Sequence, residues 1–423
     1  MRLRTFVWWL MLVAVTAGLV LVHAFPRATG DIEPSNAKLL LVARYALGAK
    51  AMGAAGASEV VDLLEALDVQ ARSAIDRFRV ITVRGELQGA EAAHRRIDVM
   101  LGEERLDGEV ERDLLLLRRI YDGEEAGTED RERLLERHGW FARLALSHGR
   151  ADDPGRRSLE AGALRTVFGI AGLMLLGFLA LVAGLVLLIL AIIRRREILT
   201  SYVAPRPAAY DTVWLETVVI LLAAVLASVF LSGHGGLSVA FYVLLMLVPF
   251  WPRVRGISRR EWCEGLGLHR GRGVWREIGA GLLGYLTGFP IFVVGILLTA
   301  LLMWLTGGSA AHPAVDQASG GPVGIIGLLL AATIWAPWVE ETVFRGALYR
   351  YMRSRTTTFL SAATVGFFFA VVHPQGYVAI PALMSLGAVL AYIRHWRGSI
   401  IASMAAHAAH NLVLVGVATI TLS

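Results

Sequence analysis

The chain has 423 residues, of which 56% are hydrophobic and 18% charged, with a formal net charge of +6. An ordinary soluble domain is only about 45–50% apolar with glycine counted in, so this composition excludes one, and the single cysteine, Cys263, excludes an intrachain disulfide framework. Residues 26–160 hold 26 acidic against 21 basic side chains and the rest hold nine acidic against 20 basic, a split that marks two different solvents rather than a nucleic-acid footprint.

The chain opens with MRLR, then FVWWLMLVAVTAGLVLV. A basic start before an apolar run makes residues 1–25 a signal anchor or a signal peptide. Val22 and Ala24 would suit cleavage before Phe25, but the apolar run is longer than a usual signal core and favours an uncleaved anchor. Either way, residues 26–160 are expected outside the cytoplasm.

That segment reads as a soluble helical bundle. SEVVDLLEALDVQARSAIDRF, VERDLLLLRRIYDG and RERLLERHGWFARLAL repeat apolar residues at spacings of three and four. The DG at 122–123 and HG at 138–139 read as helix ends. His94, His138 and His148 stand isolated in sequence and read as surface or packing residues. The bundle is expected to contact a protein partner or a substrate. ADDPGRR at 151–157 reads as a linker.

Residues 161–200 are expected to hold a span at 164–193 and a linker, with Arg194, Arg195 and Arg196 after the span. Residues 201–423 read as a membrane domain whose motif core is 320–421. Its spans fall near 210–233, 237–251, 277–306, 322–344, 357–373, 378–393 and 400–421. The expected fold is an all-α polytopic membrane protein, with about eight to nine transmembrane helices plus the exported helical domain. The loops on one side carry the arginines, seven of them between Arg253 and Arg276; HGG, GGSAAHPAVDQASGG and HPQGY on the other side carry no Lys or Arg. That asymmetry puts the N-terminus inside and the C-terminus outside.

Glu340 and Glu341 lie within an apolar stretch, where a charge costs roughly 2.5–3.5 kcal/mol on insertion scales. On an α-helix the two point about 100° apart. Glu341 and Arg345 are i and i+4, acid first, the favourable order, so Glu341 has a structural partner. Glu340 must meet another helix or water. Helix rise puts His373, His407 and Asn411 at depths overlapping that of Glu340. His407 and Asn411 share a helix face, as do Phe369 and His373. His410 sits off the Asn411 face and is the weakest candidate.

Buried polar groups at such depth mark functional sites by default. A carboxylate and an imidazole together hold and deprotonate water. A second histidine and an amide can donate to the oxyanion of a tetrahedral intermediate. That set describes amide hydrolysis. A metal variant would use Glu340, His373 and His407 as zinc ligands, although no HExxH occurs.

EETVFR at 340–345, FAVVH at 369–373 and HAAHN at 407–411 resemble the EExxxR, FxxxH and HxxxN motifs of the CAAX protease and bacteriocin-processing family. These are intramembrane endopeptidases that include the type II CAAX prenyl endopeptidases. GLGLHR at 265–270 adds to the likeness, which covers about residues 260–421. The resemblance implies that Glu340 activates water, assisted by His373. It implies that His407 and Asn411 form the oxyanion site and that Glu341 and Arg345, with Phe369, shape the pocket. It fixes no cofactor; a divalent metal such as zinc stays the second reading. The exported segment departs from the family pattern, and the expected substrate is a membrane or exported peptide at a bacterial inner membrane. A catalytically dispensable scaffold or immunity-type binding protein working through residues 26–160, and a transporter with Glu340 as proton carrier, are the two other function classes the sequence leaves open.

Overall fold

The computed structural model describes residues 2–24, 36–53, 65, 71, 73–103, 106–194, 211–231, 241, 243–308 and 321–422. Among them every regular element is helical. In chain order these are α1 (Arg2–Ala24), α2 (Asn36–Ala51), α3 (Ala74–Gln88), α4 (Ala90–Leu101), α5 (Gly108–Tyr121), α6 (Thr128–His138), α7 (Trp140–Leu146), α8 (Pro154–Ile193) and α9 (Thr212–Leu231). There follow α10 (Arg259–Leu266), α11 (Val274–Thr306), the composite α12 (321–353), α13 (Thr358–Val371), α14 (Ile380–Arg397) and α15 (Ile400–Leu422). Two compact units divide the chain, one of residues 1–28 and 176–416, the other of 29–175 and 417–423.

In the second unit, Phe78, Ile97, Leu114, Leu117, Leu134 and Ala142 form a core. Most of SEVVDLLEALDVQ lies outside the described residues. The helix ends fall where the turn residues set them: α5 stops before Gly123 (φ +89°) and α6 before Gly139 (φ +53°). Both glycines adopt a positive φ that other residues avoid. Of the linker expected at 151–157, residues 154–157 are instead the start of a 40-residue helix. Pro154 takes the first helical position, where its missing N–H costs nothing. Asp153 Oδ1 accepts from Gly155 N at 2.6 Å and caps the end.

The histidines of this unit are not isolated. His138 Nε2 lies 3.1 Å from the buried Asp113 Oδ2, and His148 Nδ1 lies 2.6 Å from Glu86 Oε1. His94 pairs with Asp122 at 3.4 Å. Burial pushes the Asp113 carboxyl up, but the hydrogen bond from His138 and the charges of His138, Arg137 and Arg133 hold it below the usual carboxylate range. For Glu86, burial is likewise outweighed by His148 and Arg156. Burial holds the His138 imidazole below its ordinary value against the pull of Asp113.

All three groups have folded-state values below their unfolded ones, so the unfolded chain binds more protons as pH falls. Their contribution to stability is full above about pH 6.5 and declines on acidification. It is lost first through His138, then through the carboxylates below about pH 4. Thermal unfolding of the full chain is expected to show this unit's transition falling from pH 7 to pH 3, with the part below about pH 4 smaller in Asp113→Asn; a pH-independent transition refutes it.

In the first unit the membrane reading holds. Counted across the described residues of both units, six helices are long and apolar enough to cross a bilayer. Three expected spans appear as shorter apolar helices, Thr212–Ser228, Val243–Val254 and Thr358–Val371. A helix of 14 residues rises roughly 21 Å, short of the ~30 Å hydrocarbon core.

Between membrane helices, close approach replaces the hydrophobic effect as the source of packing. Gly281, Gly284 and Gly288 lie on one buried face of α11, with Ile393 and Val389 of α14 against the last two. A close crossing joins α13 and α14: a Cβ on Gly387 would stand 2.7 Å from the Gly366 Cα. Both partners there are backbone, so neither gives way. Gly387→Ala is expected to cost about 1–3 kcal/mol by overpacking and to lower the thermal midpoint in detergent. Gly279→Ala, where an added Cβ meets nothing within 4 Å, leaves the midpoint unchanged or higher. Equal behaviour of the two variants would count against this crossing.

Helix α1 packs in the same unit. Leu12 and Leu19 are buried in its core, and Trp9 Nε1 donates to Tyr351 Oη at 2.9 Å. Arg4 meets Glu216 Oε1 at 2.5 Å, while Glu216 Oε2 accepts from Trp251 Nε1 and Arg255 Nε, both at 3.0 Å. The buried Glu216 is thus satisfied by three residues from two segments, as a buried charge requires.

Candidate active site

Helix α12 presents the glutamates from an irregular backbone. Residues Ala331–Trp335 and Glu341–Leu348 are π-helical, and α-helical turns precede, separate and follow them. Such i→i+5 segments inside α-helices recur at functional sites. The regular α-helix expected to carry the two glutamates is therefore corrected. The change also explains Asn411. In an i→i+5 segment the Ala332 carbonyl would bond the N–H of residue 337, which is Pro337 and has none. Asn411 Nδ2 donates to that carbonyl at 2.7 Å. One of the two amide N–H groups of Asn411 is spent there.

Glu341 and Arg345 are fully buried and paired, Arg345 Nη1 to Glu341 Oε1 at 2.9 Å. Arg345 Nη2 donates to the Gly387 carbonyl at 3.0 Å, and the guanidinium lies 4.4 Å from the Phe369 ring centroid. The i, i+4 expectation for this pair matches the structure. A further contact was not legible: His407 Nδ1 lies 2.9 Å from the same Glu341 oxygen. No local signal links residues 66 positions apart.

His373 Nδ1 lies 2.6 Å from the Phe369 carbonyl. A carbonyl only accepts, so Nδ1 carries the proton and Nε2 offers its lone pair. A carboxylate likewise accepts from His407 Nδ1. Both Nε2 atoms face Glu340 Oε2, His373 at 3.8 Å and His407 at 3.9 Å. That carboxylate oxygen is buried and accepts no hydrogen bond from the described residues. The gaps are too long for direct hydrogen bonds and suit one bridging water. Phe369 packs against both imidazoles, with centroids 4.5 Å from His373 and 5.7 Å from His407.

The structure thus gathers Glu340, His373 and His407 on one point, with Glu341, Arg345 and Phe369 behind them. Asn411 lies on the α12 side of α15. His410 turns elsewhere, with its Nδ1 3.0 Å from Tyr285 Oη. A tetrahedral zinc with ligands at about 2.0–2.1 Å holds its donors roughly 3.4 Å apart. The Nε2–Oε2 separations exceed that, and no group of three or more His, Cys, Asp or Glu among the described residues is placed to hold a metal ion. The residues as arranged do not fit the zinc reading, so no step below is routed through a metal.

GLGLHR has a structural task. Gly267 (φ +79°) accepts from Ile400 N at 3.0 Å, and the His269 carbonyl accepts from Ser399 Oγ at 2.7 Å. This strap fixes the start of α15, which carries His407.

Residues 322–413 match the family model of type II CAAX prenyl endopeptidase Rce1-like proteins. The matched region contains every residue of the cluster. No curated protein and no solved structure matches the chain.

Proposed function

We propose that this multi-pass membrane protein is an intramembrane endopeptidase in which Glu340 activates water. One observation carries the reading: two imidazoles, each with Nδ1 tied down, turn Nε2 toward an unpartnered carboxylate oxygen at 3.8 and 3.9 Å. The family match over 322–413 supports it.

The partner of each Nδ1 separates the roles. His373 is tied to a neutral carbonyl, so its Nε2 lone pair accepts from water. His407 is tied to the Glu341 carboxylate through Nδ1–H, and its doubly protonated ring is the oxyanion donor in this reading. Its Nε2–H then donates. A water held by Glu340 Oε2 and His373 Nε2 gives its proton to Glu340 and attacks the scissile carbonyl carbon. The tetrahedral oxyanion accepts from His407 Nε2–H and from the remaining Asn411 N–H. As the C–N bond breaks, Glu340 passes the proton to the leaving amine.

In this reading the substrate is a membrane-associated or exported peptide. The three shorter helices complete an eight- to nine-span topology in a bacterial inner membrane. Residues 26–160 lie outside the cytoplasm and receive a protein partner or the substrate. Membrane peptide inventories of cells carrying wild type or Glu340→Gln test the activity: fragments present only with wild type are expected. Identical inventories, with function intact in the variant, would return the chain to the scaffold class.

A further inference from the structure

Helix α11 carries an exposed tryptophan near each end, Trp275 at 84% and Trp304 at 79% exposure. The 29 residue steps from one to the other rise roughly 44 Å. That matches the ~40–45 Å of a bilayer with both interfacial layers included. Tryptophan favours those layers. The Trp275 end of α11 therefore lies at headgroup depth.

Charge gathers at this end. Of the seven arginines between Arg253 and Arg276, Arg255 is bound to Glu216, Arg260 to Glu264, and Arg253 to the Ile257 carbonyl. The other four, Arg259, Arg270, Arg272 and Arg276, are exposed and form no ion pair with the described residues. Exposed apolar side chains stand among them, Val254 at 75% and Trp275 beside Arg276. At that depth the nearest anions are lipid phosphates, and each basic residue near such a surface adds attraction.

The same segment is fastened to the site. Besides the strap bonds to Ile400 and Ser399, Glu277 accepts from Arg272 N at 2.9 Å and from Arg397 Nε and Nη2 at 2.9 and 2.7 Å. The stretch bearing Arg270 and Arg272 thus holds the junction of α14 and α15, two turns before His407.

We propose that the arginine-rich segment 253–276 is a docking surface for anionic phospholipid headgroups, and that headgroup binding steadies the start of the helix carrying His407. The first half stands whatever the site catalyses; the second adds regulation of the site and rests on the peptidase reading only for its effect on turnover.

The full chain in nanodiscs of phosphatidylcholine with a minority of phosphatidylglycerol tests the surface, by native mass spectrometry of the lipid retained. Wild type is expected to enrich phosphatidylglycerol, and Arg270→Gln/Arg272→Gln/Arg276→Gln to lose roughly tenfold of that enrichment. Arg118→Gln/Arg150→Gln, in the other unit, should retain it. A salt titration of wild type needs no variant: enrichment should fade as the Debye length shrinks. Equal enrichment in the triple variant, or enrichment indifferent to salt, overturns the docking surface. So does tight binding of an acidic peptide without lipid preference, which would assign the arginines to a protein partner. Hydrogen exchange at Ile400 and Ile401 reads the coupling without any activity assay. It should slow with phosphatidylglycerol in wild type alone; unchanged exchange overturns the second half.

Discussion

Glu340→Gln should abolish peptide cleavage while leaving the fold as stable as wild type or more so. General-base catalysis contributes roughly 10²–10⁴-fold, and here the same carboxylate returns the proton to the leaving amine. Glutamine fills the same volume but cannot take a proton. Stability moves the other way because Glu340 Oε2 is a buried carboxylate oxygen that accepts nothing from the described residues and has only the water it holds. A charge so sparsely solvated costs more than a neutral amide in its place. The two readouts are turnover of a membrane peptide in proteoliposomes and the thermal midpoint of the purified chain. Turnover within a few fold of wild type would end the water-activation mechanism. A large fall in the midpoint would instead make Glu340 a structural residue.

The sequence showed the parts of this site more readily than their arrangement. Glu341 and Arg345 could be paired from spacing alone, because helical neighbours at i and i+4 need no tertiary information. Glu340 could be singled out because nothing on its own helix satisfies it. The bond from His407 to Glu341 could not be read, since it depends on how α15 packs against α12. Nor could the role of Asn411 be read fully. Its amide supplies the hydrogen bond that Pro337 withholds from Ala332, and the proline was the available sign that the ladder breaks there. The histidines of the second unit looked isolated for the same reason, His138 and Asp113 being 25 positions apart. The misread linker was local. DDPG can open a loop or start a helix, and the apolar run that follows decided for the helix.

Removing the charge behind the site should have the opposite profile to Glu340→Gln. Arg345→Met leaves Glu341 as a buried carboxylate with no cation at bonding distance except His407. Breaking a buried ion pair from one side typically costs about 3–5 kcal/mol, so the thermal midpoint should drop sharply. Arg345→Lys should rescue little. The guanidinium reaches Glu341 and the Gly387 carbonyl at once, at 2.9 and 3.0 Å, while stacking on Phe369. One ammonium on a flexible stem cannot reproduce that fork. The double variant Glu341→Gln/Arg345→Met should recover much of the stability, because no charge is left unpaired. It should stay slow, because His407 Nδ1 then meets a neutral amide in place of the carboxylate, and that weaker acceptor no longer fixes the ring's orientation. Recovery of stability without recovery of rate is the signature of a residue that both holds the fold and positions a histidine. A double variant as unstable as Arg345→Met would show that the arginine acts through Gly387 and Phe369, not through the charge on Glu341.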